Sequence, residues 1–378
     1  MRDKRIRVLM TSTSYPASLE DWKGLFIRHL VWSLADHNQI SLSLWAPPGE
    51  AHVAVNRIET PKEARFLGDL MDQGGIAHLL RHGGVKRVSA PLRLLAGLRR
   101  AYRRTPDTDI YHVNWLQNAL PLPDDGKPVV INALGTDIKL LATPLIRKLL
   151  RRTLKHHPTT ICPNAEWMEA PLKKAFGHLA TIQFVPFGID PAWFQLHQEH
   201  RPDTPPRWLA VTRLTRAKLG PLFDWCAPHF DNTSRELHLF GPMQEPIDLP
   251  GWVHYHGPAS PDALAHKWFP GSRGLITLSQ HAEGRPQVML EAMAAGLPVI
   301  ASRIPAHENM LKHKETGWLC DSATDVQEGL SYMETKTNWK HMSDSAHRWT
   351  ANEIGTWNDC AERYAGIYRS MLGMPRHG

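Results

Sequence analysis

Residues 274–302 read G-L-I-T-L-S-Q-H-A-E-G-R-P-Q-V-M-L-E-A-M-A-A-G-L-P-V-I-A-S. Gly274 to Leu278 and Leu297 to Ala301 are short apolar runs of the kind that form buried strands. Between them the pattern predicts a helix with clear ends. Pro286 suits a first turn, where a missing N–H costs nothing, and Gly296 suits a left-handed exit. Val288, Met289, Leu290, Ala292, Met293, Ala294 and Ala295 make the helix apolar nearly all round, which predicts burial inside a domain. Glu291 interrupts that surface, and a carboxylate in an apolar setting must find a partner or take up a proton. The polar loop Ser279 to Arg285 leads into the helix, so its N-terminus opens at the carboxyl end of a strand. Ligands of open α/β sheets gather there, and helix N-termini favour anions. Glu283 and Glu291 are therefore candidates to grip a hydroxyl-rich ligand while backbone N–H groups between them face something negative, as in a sugar nucleotide. Two plainer roles fit the same residues: Glu283 as a solvated loop carboxylate, and Glu291 as the partner of a buried Arg.

The run from Glu283, E-G-R-P-Q-V-M-L-E-A-M-A-A-G-L-P-V-I-A-S, resembles the E-x7-E signature of retaining glycosyltransferase family 4, including its A-x-G-x-P-V tail. The resemblance implies the GT-B fold: two Rossmann-like, doubly wound α/β domains facing across a cleft, with the last helix crossing back to the first domain. It also implies a nucleotide-sugar donor, a substrate rather than a cofactor, held by the second domain. W-L-A-V-T-R-L-T-R-A-K-L-G resembles the family's V-G-R-L-x-x-x-K-G, whose Arg and Lys bind the donor diphosphate; Arg213 and Lys218 match by position. Two cations past the end of an apolar strand also suit neutralisation of a leaving diphosphate without metal; a simple surface pair is the bland alternative, which the place of Arg213 directly after an apolar strand disfavours. Gly241 in H-L-F-G-P and Gly257 in V-H-Y-H-G-P end two further strands, where the family places the base. The implied catalytic group is Glu283, Arg213 and Lys218. The implied donor contacts are Glu291, Gly284, Arg285, Pro286, Gln287, Val288 and Gly241. The alternating histidines of V-H-Y-H invite a metal, but such residues usually serve packing, and the expected metal set is none.

In the first half, Ile6 to Met10 reads as a strand, followed by a hydroxyl-rich turn, Gly24, and helical spacing from Leu25 to Leu34. Gly24 either allows close approach to a ligand or simply makes a tight turn. D-I-Y-H-V-N and V-V-I-N-A-L-G-T-D are strands ending in polar residues. They resemble the family's D-x-x-H-x-H and H-G-[ST]-D, with two departures: Asn114 replaces the second histidine, and Leu134 replaces the histidine before Gly135-Thr136-Asp137. The implied acceptor or cleft residues are Gly24, His112, Asn114 and Asp137; a lone strand histidine such as His112 is more often a core residue. V-P-F-G-I-D resembles the close of the first domain, and the polar, proline-rich stretch 195–207 reads as a linker. The expected domains are 1–195, 208–355, and a crossover helix with tail over 356–378.

With 378 residues, 42% of them hydrophobic, the chain suits two domains. No apolar run approaches a membrane span, and Arg7 interrupts anything like a signal-peptide core. Cys162, Cys226, Cys320 and Cys360 are widely spaced and lack metal-ligand spacing, which fits a reducing, cytoplasmic setting. Net charge is +7, concentrated at 81–104 and 145–157, where Lys and Arg interleave with Leu and no acid intervenes. Solvated helix faces are the bland explanation; an anionic membrane surface is the sharper one, placing the protein peripherally on the inner face of the membrane. No nucleic-acid module is present. The expected activity is a metal-independent, retaining hexosyl transfer to a glycan or membrane-linked glycolipid, of lipopolysaccharide or exopolysaccharide type. A GT-B nucleotide-sugar epimerase and a catalytically silent sugar-binding scaffold are the alternatives.

Overall fold

The structure, a computed structural model, describes residues 5–18, 21, 24–74, 86–199, 206–281 and 284–374. The chain divides into two compact units, Met1–Phe187 together with Trp357–Gly378, and Gly188–Thr356. The stretch expected to link them begins inside a helix, Pro191–Glu199, of the second unit.

Seven parallel strands form the first unit's sheet: β1 (Ile6–Thr11), β2 (Ile40–Trp45), β3 (Asn56–Arg57), β4 (Ile110–Asn114), β5 (Val129–Ala133), β6 (Thr159–Pro163) and β7 (Thr181–Ile182). Their order is β3-β2-β1-β4-β5-β6-β7, so the chain leaves β1 in one direction and later returns to its other side. The central strands β4, β5 and β6 are buried at every position, as strands covered on both faces must be. One face carries α1 (Leu25–Asp36). The other carries α2 (Pro61–Asp72), α3 (Lys86–Arg104), α4 (Pro144–Leu154) and α5 (Glu169–Phe176), whose Leu67, Leu98, Leu150 and Phe176 share one core. Among its described residues, the segment 47–108, opaque in sequence, thus holds β3, α2 and α3.

The second unit holds α6 (Pro191–Glu199), β8 (Arg207–Val211), α7 (Arg216–Leu219), α8 (Leu222–Phe230), β9 (Glu236–Phe240), β10 (Val253–Tyr255), β11 (Gly274–Thr277), α9 (Gln287–Ala294), β12 (Val299–Ser302), β13 (Trp318–Cys320), α10 (Ala323–Glu334) and α11 (Lys336–Trp349). Its parallel sheet runs β10-β9-β8-β11-β12-β13. The strand–helix–strand of residues 274–302 is β11, α9 and β12. Met289, Leu290, Ala292, Met293 and Ala294 are buried, and Gly296 takes the left-handed conformation at φ 75°. Pro286 is the cap residue, one position ahead of the helix.

The last helix, α12 (Trp357–Met371), belongs to the first unit. Trp357, Cys360, Tyr364 and Tyr368 join the core formed by α1 and β1, and Trp357 stacks on His29 at 5.3 Å. All four cysteines are buried free thiols.

Candidate functional site

In each sheet the strand order reverses at one place, and loops from the two central strands diverge there to leave a crevice at their carboxyl ends. In the second unit that place lies between β8 and β11. Arg213 and Lys218 follow β8, Lys218 within α7, and both are half-buried. The loop Leu278–Pro286 follows β11 and delivers the N-terminus of α9. Backbone contacts hold these two segments together. The Gln280 amide donates to the Ala217 carbonyl at 2.9 Å. At Gly220 a Cβ would stand 2.0 Å from the Leu278 carbonyl oxygen, so no other residue fits without a shift. Behind them, Ser302 Oγ donates to the Ser279 carbonyl at 2.5 Å, and His307 Nδ1 lies 2.8 Å from the Ser302 carbonyl.

Gly241 fixes the next loop. It sits at φ 135°, its amide donates to the Gly257 carbonyl at 2.9 Å, and an added Cβ would lie 1.7 Å from the Thr212 oxygen. Tyr255 donates its hydroxyl to the Gly241 carbonyl at 2.9 Å. The turns carrying Thr212–Arg213, Gly241 and Gly257 are therefore one connected rim. Gly284, Arg285, Pro286, Gln287 and Val288 are all half-buried, and the first amides of α9 lie among them. Gln287 donates to the Gly188 carbonyl at 2.8 Å, and the Arg285 guanidinium lies 6.0 Å from the Trp349 ring centre. Glu291, on α9, is pushed up to a pKa of about 7 by burial and by the neighbouring Asp190 charge. A carboxyl of that kind is readily paired with ligand hydroxyls. Glu283 lies outside the described residues.

In the first unit the reversal falls between β1 and β4. Gly24 caps α1 in the left-handed conformation, φ 75°, where a Cβ would stand 2.6 Å from Ser14 Oγ. Asn114, Asp137 and His112 lie at or near the strand ends but are buried and engaged by the protein itself. Asn114 donates to the Thr11 carbonyl at 3.1 Å and accepts from Asn132 at 2.9 Å; Tyr364 of α12 donates to Asn132 at 2.7 Å. The Asp137 carboxylate accepts from the amides of Leu116 and Leu134 at 3.1 and 3.0 Å, tying the loops after β4 and β5 together. Burial lifts its pKa to about 6 against those hydrogen bonds. His112 Nδ1 is 2.5 Å from Tyr368 Oη, and burial depresses its pKa to about 3, so it is a neutral core imidazole. His112, Asn114 and Asp137 are thus buried and partnered within the first unit. Trp115, which sequence reasoning passed over, is half-buried there, held at φ 68°, with its ring 6.4 Å from that of Phe26. A bulky residue at positive φ costs about 1–3 kcal/mol and clusters at functional sites. Only the structure supplies that signal.

His254 and His256 both stack on His238 and are themselves exposed, and Trp268 lies against His238 and His256. His238 hydrogen-bonds His256 at 2.8 Å and Glu236 at 2.9 Å. They form a stacked relay, and among the described residues no group of His, Cys, Asp and Glu could hold a metal ion.

Two parallel doubly wound sheets, with loops gathered at the reversal of strand order, define the GT-B fold, which this chain adopts. Residues 252–353 match the family model of glycosyl transferases group 1, so the second unit carries a domain of that family. The E-x7-E stretch lies inside this match. A Haemophilus influenzae protein described as an uncharacterized glycosyltransferase is 32% identical over 80 residues, 20% of this chain and 22% of that one. The match spans about a fifth of the curated relatives' length, 22% in each case. Among solved structures, a sucrose-phosphate synthase from Thermosynechococcus elongatus superposes with a TM-score of 0.70 at 16% identity, covering 98% of this chain and 100% of that one. The Anabaena HepE protein in complex with UDP-glucose gives 0.64 at 13% identity over 97% and 100%. Among the described residues no helix is long and apolar enough to cross a membrane.

Proposed function

We propose that this protein is a retaining glycosyltransferase that moves a hexose from a nucleotide sugar to a hydroxyl of a glycan or lipid-linked glycan acceptor. The observation that carries the proposal is the stitched junction at the second sheet's reversal. There the loop bearing Arg213 and Lys218 is hydrogen-bonded to the loop that opens α9. Cations on one side and a helix N-terminus on the other are suited to a diphosphate, and Glu291 further along the same helix suits ribose hydroxyls. Arg213, Lys218 and the amides of Gly284, Arg285, Gln287 and Val288 stabilise the leaving diphosphate, and Glu283 holds hydroxyls of the donor sugar. The acceptor hydroxyl attacks on the face that the leaving group vacates, and the diphosphate takes its proton. This route needs no protein base and no metal. His112, Asn114 and Asp137, engaged inside the first unit, support that assignment. Trp115 offers an aromatic surface for an acceptor sugar.

UDP-glucose, present in the HepE complex, is the first donor to test. Incubation with UDP-, GDP- and ADP-sugars and lipid-linked or oligosaccharide acceptors distinguishes three outcomes. Acceptor-dependent transfer with retained anomeric configuration is expected. Acceptor-free epimerisation, or binding without turnover, overturns the proposal. The basic segments 81–104 and 145–157 support a reading in which the acceptor lies at an anionic membrane on the cytoplasmic side; residues 81–85 lie outside the described set. Binding to anionic vesicles that weakens with salt is expected, and no binding at low salt removes the membrane from the scheme.

A further inference from the structure

A groove lies between α2 and α3 in the first unit. It consists of two hollows, of about 290 and 330 Å³, that share Phe66 and Arg93. Trp45, Gly97, Leu70 and Ala90 are its buried lining, and Lys62, Arg93 and Arg100 stand exposed along it. Gly97 keeps one end open: a Cβ there would come within 3.1 Å of the Trp45 ring. Glycine inside a helix is disfavoured relative to alanine, so the close approach is maintained against local preference.

The charges around the groove are unbalanced. Four cations, Lys62, Arg93, Arg100 and Arg104, face the carboxylates Glu63 and Asp69. Glu63 is already enclosed. It accepts from Arg104 at 2.6 Å, Arg100 at 3.3 Å, Trp45 Nε1 at 3.4 Å and the Thr60 amide at 3.0 Å. Burial works against its charge, but those donors hold its pKa down at about 2. The Arg93 guanidinium lies over the Phe66 ring, 4.2 Å from its centre, while the residue stays exposed, so its N–H donors can reach an acceptor in the groove. Beside the groove Leu92 is 64% exposed on α3; on α4, which covers the same sheet face, Leu145 and Leu149 are 65% and 43% exposed next to Lys148 and Arg152. Leucines raised among cations match a surface that enters the interfacial region of an anionic leaflet.

We propose that this groove is a binding site for one anionic phospholipid, its phosphodiester held by Lys62, Arg93 and Arg100 and the start of an acyl chain lying along Phe66 and Leu70. The apolar lining with a cationic edge suits an amphiphile with an anionic head, which a free phosphate is not. The proposal rests on the membrane reading above only in drawing its ligand from a bilayer, and the test separates the two.

The full chain is floated with phosphatidylcholine vesicles with or without phosphatidylglycerol. Three variants are compared with the wild type after their folding is checked by circular dichroism. Lys62→Glu/Arg93→Glu removes the phosphate contacts, Ser89→Trp fills the groove from an exposed position without changing charge, and Leu145→Ser/Leu149→Ser alters α4 alone. Wild-type binding to phosphatidylglycerol vesicles, weakened at least tenfold by the charge reversal and severalfold by Ser89→Trp, supports the site. If Ser89→Trp binds like the wild type, attraction is diffuse and the groove is overturned. If only the α4 variant loses binding, the groove falls while the membrane reading stands. If the wild type ignores these vesicles at low salt, both fall. A thermal shift with inorganic phosphate alone, lost in the charge reversal and without vesicle binding, reassigns the groove to a soluble anion and overturns the lipid.

Discussion

The two sheets reverse their strand order in the same way, yet they treat the polar residues at the reversal oppositely. In the first unit Asn114, Asn132, Asp137 and His112 are buried and joined to one another, to backbone amides, or to Tyr364 and Tyr368 of α12. In the second, Arg213, Lys218 and Gly284 to Val288 are half-buried, on segments whose backbones are hydrogen-bonded together. The same topology therefore yields a buried polar network in one unit and half-buried cations beside a helix N-terminus in the other. What separates them is α12. Tyr364 and Tyr368 cover the first unit's strands and turn residues that would face solvent into core partners.

The largest expected effect tests the second unit's half of this contrast. Arg213→Ala or Lys218→Ala should lower kcat/KM by roughly 30- to 1000-fold, about 2–4 kcal/mol of transition-state stabilisation, with little change in Tm. Activity within threefold of wild type would mean that these cations do not meet the diphosphate. Asp137→Ala addresses the buried network. It orphans two buried amides and should cost about 2–3 kcal/mol of stability, read as a lower denaturant midpoint, with any loss of activity following the loss of fold.

Glu291→Gln sharpens the comparison through pH. Because the folded pKa, about 7, lies above the ordinary 4.5, the folded chain keeps a proton that the unfolded chain releases. The resulting stabilisation is full below the unfolded value and is lost as pH rises through 7. The neutral variant escapes that loss, so its stability relative to wild type should grow by about 1–3 kcal/mol between pH 5 and 8. A difference that stays flat across this range would show that Glu291 ionises freely. Tyr368→Phe should have the smallest effect, about 1 kcal/mol, by removing the hydroxyl bonded to His112 while leaving kcat unchanged.

Much of the second unit was legible in the sequence because its elements carry local punctuation. Strand, Pro286, apolar helix and Gly296 follow one another within 274–302, and the match to glycosyl transferases group 1 falls on the same stretch. Segment 47–108 was less legible. T-P-K-E at Thr60–Glu63 does announce α2, whose capping box forms as that spacing allows, but Pro91 lies within α3 and obscures the helical pattern. Asn114 and Leu134 drew attention as departures from a motif, and the physical roles around them became visible only with their partners in place.

Local sequence determined the helix and strand types, the glycine-dependent turns at Gly241 and Gly296, and the placement of Arg213, Lys218 and Glu291 beside strand ends, since those depend on neighbours a few residues away. Tertiary structure alone decided that His112 is a neutral core residue, that Asp137 ties two loops, and that Lys62 and Arg93 share a groove. Each of those depends on burial and on partners tens to hundreds of residues distant in the chain. His112 and Tyr368, separated by 256 positions, show why: desolvation is set by what packs over a group, and no local pattern records it.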